Sequence, residues 1–411
     1  VAAGVTPEAR AEHAARASYG RLLAILAAAG RDIPAAEDAL GDAFERALRS
    51  WPVDGVPQNP DGWLLTVARN RLRDTARSSA SRLAAPLLDV HAVVDDIDPD
   101  AIPDRRLALM FVCAHPAIDA SVRTPLMLQT VLGLDAATVT RAFALPEPAM
   151  AQRLVRAKRR IRDAGIGFVV PDRSTMPARL PAVLEAVYGA YAIDWHVVSG
   201  ETLRESLAHE ALYLASTLAE LLPGEPEALG LAALLGHSLA RTEARIAADG
   251  CLVPLDEQDP ALWDHDLIAR SERLLLRAHG LGRIGRFQLE AAIQSAYAAR
   301  IHGIEVDWAA LRDVHTTLVR IAPTLGARVA LAATIARVDG PRAGLAALDG
   351  LAGRDAERFQ PAWATRAHLL AEAGDTDAAT AAYARAISLT TDAPSRELLR
   401  RRADALTRPG R

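Results

Sequence analysis

The stretch AATVTRAFALPEPAMAQRLVRAKRRIRDA, residues 136–164, decides the fold. Ala136–Phe143 reads as a short helix, Ala144-Leu145-Pro146 as a turn, and Glu147–Ala164 as a longer helix. Two helices joined by so brief a turn have the spacing of a helix-turn-helix. In the longer one Met150, Leu154, Ala157 and Ile161 recur at three- and four-residue steps and form a core stripe. Arg153, Arg156 and Arg160 lie on a different face, joined by Lys158, Arg159 and Arg162. Six of the ten residues from Arg153 to Arg162 are basic and none is acidic. Such a face is ordinarily just solvated. Within a helix-turn-helix it points instead to DNA, whose phosphates it can meet while polar side chains reach base edges.

Around this stretch the chain reads as helix throughout. The segment 105–170 adds helices over Arg105–Cys113 and Ser121–Leu132. Before it, residues 86–104 combine Pro86, Pro99 and Pro103 with Asp89, Asp95, Asp96, Asp98, Asp100 and Asp104, and hold no lysine or arginine. This composition predicts an acidic linker. Further upstream, residues 10–85 carry three helical patterns. In Ala35–Arg49 the apolar residues Ala39, Leu40, Ala43, Phe44, Ala47 and Leu48 share one face, with Glu37, Asp38, Asp42 and Glu45 off it. A breaker-rich loop, Trp51–Asp61, follows. The next helix is expected to open at Asp61 as N-cap and to run to about Arg77. Trp63, Leu64, Val67, Ala68 and Leu72 form its apolar side; Arg69, Arg73 and Arg77 step along the other, beside Asn70.

Composition agrees. Alanine supplies 86 of the 411 residues and aromatics 4%, a balance that favours helix over strand. Half the residues are hydrophobic, which disfavours disorder. No apolar run reaches the roughly 18 residues of a membrane span, and the N-terminus has no signal-peptide pattern, so a soluble, cytoplasmic protein is expected. Lysine occurs once against 46 arginines, which makes arginine count a weak argument and arginine placement the useful one. Residues 1–170 carry 21 basic and 20 acidic side chains, so the total of −4 leaves −5 for residues 171–411.

Residues 178–411 read as a string of helical pairs. Near the end Trp363, Ala367, Leu370, Gly374, Ala379, Tyr383 and Ala386 fit the tetratricopeptide spacing, and a weaker match lies around Ala333–Leu348, with Gly340 at its turn. Signs of chemistry are few. Cys113-Ala114-His115 offers two ligands where zinc needs four, so a buried cysteine and a helix-end histidine are expected and no metal. Gly280-Leu281-Gly282-Arg283-Ile284-Gly285 fits no dinucleotide fingerprint and reads as a turn between helices. There is no phosphate loop, nucleophile elbow or HExxH motif, so neither an enzyme nor a cofactor is expected.

The order of features resembles a bacterial RNA polymerase sigma factor of the extracytoplasmic-function type. The residues that carry the resemblance are Ala36-Glu37-Asp38-Ala39-Leu40-Gly41-Asp42-Ala43-Phe44, Asn59-Pro60-Asp61-Gly62-Trp63-Leu64-Leu65-Thr66-Val67-Ala68-Arg69-Asn70, and Ala149–Ile161. The blocks 10–85 and 105–170 resemble the sigma-2 and sigma-4 domains, and 178–411 the helical TPR-like extension of one subgroup, which Gln258-Asp259, Trp263-Asp264 and Asp307-Trp308 match. The resemblance implies an all-α chain that binds core RNA polymerase, through the β′ clamp helices and the β flap, and promoter DNA. It implies that Glu37, Asp38, Asp42 and Glu45 face the polymerase, displayed outward. It gives Arg69, Asn70, Arg73 and Arg77 to a flipped base and single strand of the −10 element, with Trp63 structural. Gln152 and Arg153 would reach base edges of the −35 element, and Arg156, Lys158 and Arg160 its phosphates.

The chain also departs from the family it resembles. It has Ala76-Arg77-Ser78 where they carry a double arginine, one cysteine before His115-Pro116 instead of two, Tyr188-Gly189-Ala190-Tyr191 in place of a phenylalanine-asparagine-glutamate-glycine-tyrosine signature, and Pro260 after Gln258-Asp259. An alternative follows: a helical scaffold or sensor whose sigma-like front no longer initiates transcription. Whether the extension folds back on the sigma-like domains or binds a separate partner is open at this level.

Overall fold

The computed structural model describes residues 7–30, 32–80, 104–142, 147–163, 171–195, 202–351 and 353–407. Among these residues the protein is all-α, its only β feature an isolated antiparallel bridge between Ile246 and Leu252. No described helix is long and apolar enough to cross a membrane. The acidic linker of 86–104, apart from Asp104, and the turn 144–146 lie outside the described residues. The chain divides into two compact units, Val1–Ala190 and Tyr191–Arg411.

The first unit holds α1 (Pro7–Gly30), α2 (Ile33–Asp54), α3 (Pro60–Ala80), α4 (Arg105–Cys113), α5 (Ala120–Thr130), α6 (Ala136–Ala142), α7 (Glu147–Asp163) and most of α8 (Met176–Trp195). Asp32 caps α2, its side chain accepting the Ala35 N–H at 3.0 Å. Two boundaries differ from those expected. α2 runs on through Pro52 to Asp54, because the proline removes only the bond to the carbonyl of exposed Leu48 while buried Trp51 anchors the turn edge-on against Trp63, at 5.6 Å. α3 begins at Pro60, not after Asp61. Asn59 is the residue that caps it, accepting the Gly62 N–H at 2.9 Å, and Pro60 takes the first helical position, where no donor is needed. Asp61 instead accepts from Ser18 at 3.0 Å and pairs with Arg21, both on α1.

Asp104 caps α4 by accepting the Arg106 N–H at 2.7 Å. All seven residues from Leu107 to Cys113 are buried. A helix apolar on every side must be covered on every side, and α1 and α5 are among its neighbours. The front helices α1–α3 and the later helices α4–α7 therefore share one core in this unit.

In the second unit α9 (Thr202–Leu221), α10 (Pro226–Leu239), α11 (His265–Gly280), α12 (Arg286–Ala298), α13 (Trp308–Ile321), α14 (Leu325–Asp339), α15 (Pro341–Asp349), α16 (Arg354–Arg358), α17 (Gln360–Glu372), α18 (Thr376–Leu389) and α19 (Ala393–Thr407) mostly pack on their neighbours in sequence. The glycine-rich 280–285 segment is indeed the turn between α11 and α12. Glu227 seals that turn: its carboxylate accepts the N–H groups of Phe287 at 2.9 Å and Gln288 at 3.1 Å, at the N-terminus of α12, where donors and dipole favour an anion. The tetratricopeptide-like residues Ala367, Ala379, Tyr383 and Ala386 are all buried between α17 and α18, and Gly374 makes their turn with φ +83°.

Candidate nucleic-acid interface

On α7 the four residues expected in the core are there: Met150, Leu154, Ala157 and Ile161 are all buried. The helix advances about 100° per residue, so the face opposite that stripe is Gln152, Arg156 and Arg159, all exposed. Arg153 and Arg160 stand on one flank, half-buried and exposed respectively, and Lys158 on the other. Val155, beside the outer face, is 52% exposed. An exposed valine among arginines has no role in the core; in a major groove it can meet a thymine methyl while Gln152 pairs with an adenine edge. Neither Val155 nor Arg159 is among the contacts expected from the sequence; the helical wheel puts both on the outer side once the core stripe faces inward.

On α3, Leu64 and Ala68 are buried and Arg69, Asn70 and Arg73 are exposed on the other side. Arg73 donates to the Asn70 side-chain oxygen at 3.4 Å, so the two act as one polar unit. The side chain of Arg77 lies outside the described residues. Trp63 packs with Trp51 and is structural, as expected.

The acidic set on α2 is split. Asp38, Asp42 and Glu45 are exposed; Asp42 accepts from Arg71 at 2.6 Å and Glu45 pairs with Arg49. Glu37 is not displayed outward. Its side chain is only 12% exposed and pairs with Lys158 of α7 at 2.9 Å, and Thr130 donates to the same oxygen at 3.3 Å. Two residues expected to serve different partners are thus bonded to each other. Cys113 lies close by: burial pushes its thiol up to about 12, with Glu37 adding to the rise and Lys158 opposing it. His115 accepts the Ala117 N–H at 3.1 Å and serves the turn after α4.

The motifs of the extension prove to be architectural. Asp259, Asp264 and Asp307 each cap a helix or 3-10 turn, accepting from Ala261 at 2.9 Å, Leu267 at 2.8 Å and Ala310 at 3.0 Å. Trp263 is buried beneath Arg300, whose guanidinium is 5.4 Å from the ring centre. Trp308 carries Arg337 at 5.0 Å. Beside it opens a cleft of about 480 Å³ lined in part by Tyr297 and Glu305, but Arg337 already covers the tryptophan and pairs with Asp256 at 2.6 Å.

Comparison with known proteins finds the following similarities. Residues 15–82 match sigma-70 region 2, and residues 179–279 match a family of unknown function, DUF6596. The uncharacterized protein R00370 of Rhizobium meliloti (strain 1021) is 33% identical over 385 residues, which cover 92% of this chain and 91% of that protein. No solved structure matches.

Proposed function

Since the chain belongs to the same family as that Rhizobium protein and carries a sigma-70 region 2 at its front, we propose that it is a sigma factor, which binds core RNA polymerase and directs initiation at particular promoters. The match over residues 15–82 supports polymerase and promoter binding. The observation that carries the reading further is α7: a basic helix whose core stripe and exposed arginine face lie on opposite sides. In this reading it is the second helix of a sigma-4-like domain over 105–170. Gln152, Val155 and Arg153 face base edges, and Arg156, Arg159 and Arg160 face phosphates. The sigma-2-like domain over 10–85 grips polymerase through Asp38, Asp42 and Glu45 and the −10 strand through Arg69, Asn70, Arg73 and Arg77.

The chain then acts in the cytoplasm as an extracytoplasmic-function type factor without catalytic activity or cofactor, and residues 178–411 form a TPR-like regulatory extension. The buried small residues between α17 and α18 support that likeness. The test is co-elution with core polymerase in size-exclusion chromatography. The wild-type chain should co-elute, and the variant Asp38→Lys/Asp42→Lys/Glu45→Lys should lose most of that binding at unchanged helical content. Equal co-elution of the two would remove α2 from the polymerase interface.

A further inference from the structure

In the second unit a non-helical strap, residues 246–258, lies between α10 and α11 in the chain and reaches helices that come much later. It holds three carboxylates and no lysine or arginine. Asp249 pairs with Arg401 of α19 at 2.7 Å, Asp256 with Arg337 of α14 at 2.6 Å, and Glu257 with Arg402 of α19 at 2.8 Å. The main chain of the strap is gripped as well. Arg300 donates to the carbonyls of Leu255 at 2.8 Å and Gln258 at 2.9 Å, and the Leu252 N–H donates to the Pro394 carbonyl at 3.5 Å.

Much of this grip is displaceable. Only Cys251 and Gln258 of the strap are buried. The six side chains of the three ion pairs are 31–58% exposed, and pairs so exposed hold by roughly two- to threefold each. Beside Asp256 the cleft of about 480 Å³ has apolar walls in Tyr297, Ile304, Val306 and Trp308. The surface thus offers arginines for carboxylates, donors for peptide carbonyls, and an open apolar recess next to them. Arginine clusters that also read main chain suit acidic peptide motifs; phosphates would need only the charges.

We propose that this face of α14 and α19, with Arg300 and the cleft beside it, is a docking site for an acidic peptide segment of a partner protein, and that residues 246–258 occupy it as an internal stand-in. The inference does not depend on the sigma-factor reading. A tethered segment competes at an effective concentration of about millimolar, so a partner needs a contact the strap lacks. An apolar side chain placed in the cleft next to two carboxylates supplies it.

The probe is a fluorescein-labelled synthetic peptide with the sequence of residues 246–258, carrying Cys251→Ser. Its binding is followed by anisotropy with the full wild-type chain and with the full-length variant Asp249→Asn/Asp256→Asn/Glu257→Gln. The new asparagine keeps an oxygen for the Cys251 N–H that Asp249 accepts at 3.0 Å. Three weakened pairs predict peptide binding about tenfold tighter for the variant, and a peptide with the same three neutral residues should bind neither chain measurably. Equal affinity of the two chains for the acidic peptide, or equal affinity for the acidic and neutral peptides, would overturn the docking site. A short DNA duplex that binds the variant more tightly than the peptide does would overturn it in favour of a nucleic-acid surface. Should the variant lose helical content, the comparison of acidic and neutral peptides on the wild-type chain carries the test.

Discussion

Removal of Arg156 and Arg159 together should weaken DNA binding by an amount that depends on salt in a defined way. Both side chains are exposed, opposite the buried stripe of α7, and neither has a carboxylate partner among the described residues. Each phosphate neutralised on a duplex releases condensed counterions, and contributes a slope of about −0.9 to the logarithm of affinity against the logarithm of salt. Two lost contacts flatten that slope by about 1.8. Referred to about 0.1 M salt, the same two contacts are worth roughly 1.8 decades, or about sixtyfold in affinity. The assay is a salt titration of duplex binding by fluorescence anisotropy with Arg156→Ala/Arg159→Ala. Thermal stability should hardly change, since exposed substitutions away from caps and cores stay within about 0.5 kcal/mol. A variant with reduced affinity but the wild-type slope would refute the phosphate assignment, and one with neither change would remove this face from the interface.

Other outcomes follow from the second unit. Gly285→Ala places a methyl group 2.7 Å from Glu227 Cγ and should cost about 1–3 kcal/mol by unseating the carboxylate that caps α12, read as a lowered melting temperature; Glu227→Ala should do the same. Tyr383→Ala empties the buried position between α17 and α18 and should cost about 3–5 kcal/mol, whereas Tyr383→Phe should cost far less in the same denaturant titration. His237 and His315 are buried, and burial lowers each to about 4. The unfolded chain takes up their protons below about 6.5, the folded chain only near 4, so stability is full above pH 6.5 and falls between 6.5 and 4. Each histidine contributes at most about 3 kcal/mol across that window, and His237→Gln should make the acid slope in urea unfolding at stepped pH shallower.

Local periodicity made much of this molecule legible. The stripe Met150, Leu154, Ala157, Ile161 and the small residues of α17 and α18 lie where their spacing puts them, because burial on a helix repeats every three to four residues. The start of α3 was legible in kind but not in place: both Asn59 and Asp61 are good caps, and the contacts Asp61 makes with Ser18 and Arg21 of α1 belong to tertiary structure. Likewise Pro52 looked like a stop, and only the packing of Trp51 on Trp63 shows why the helix tolerates it. Asp259, Asp264 and Asp307 stood out as motifs of a family; their shared role as caps is visible only once the helices they open are placed. Glu37 was the least legible. Periodicity tells that a residue lies off the core face, and says nothing of which distant side chain it meets there.

The central claim is tested most directly by run-off transcription with core polymerase on fragments of the chain's own genome, with and without the full chain. The account predicts discrete transcripts that appear only when the chain is present and disappear with Arg156→Ala/Arg159→Ala. Firm binding to core polymerase with no chain-dependent transcript from any fragment would contradict it.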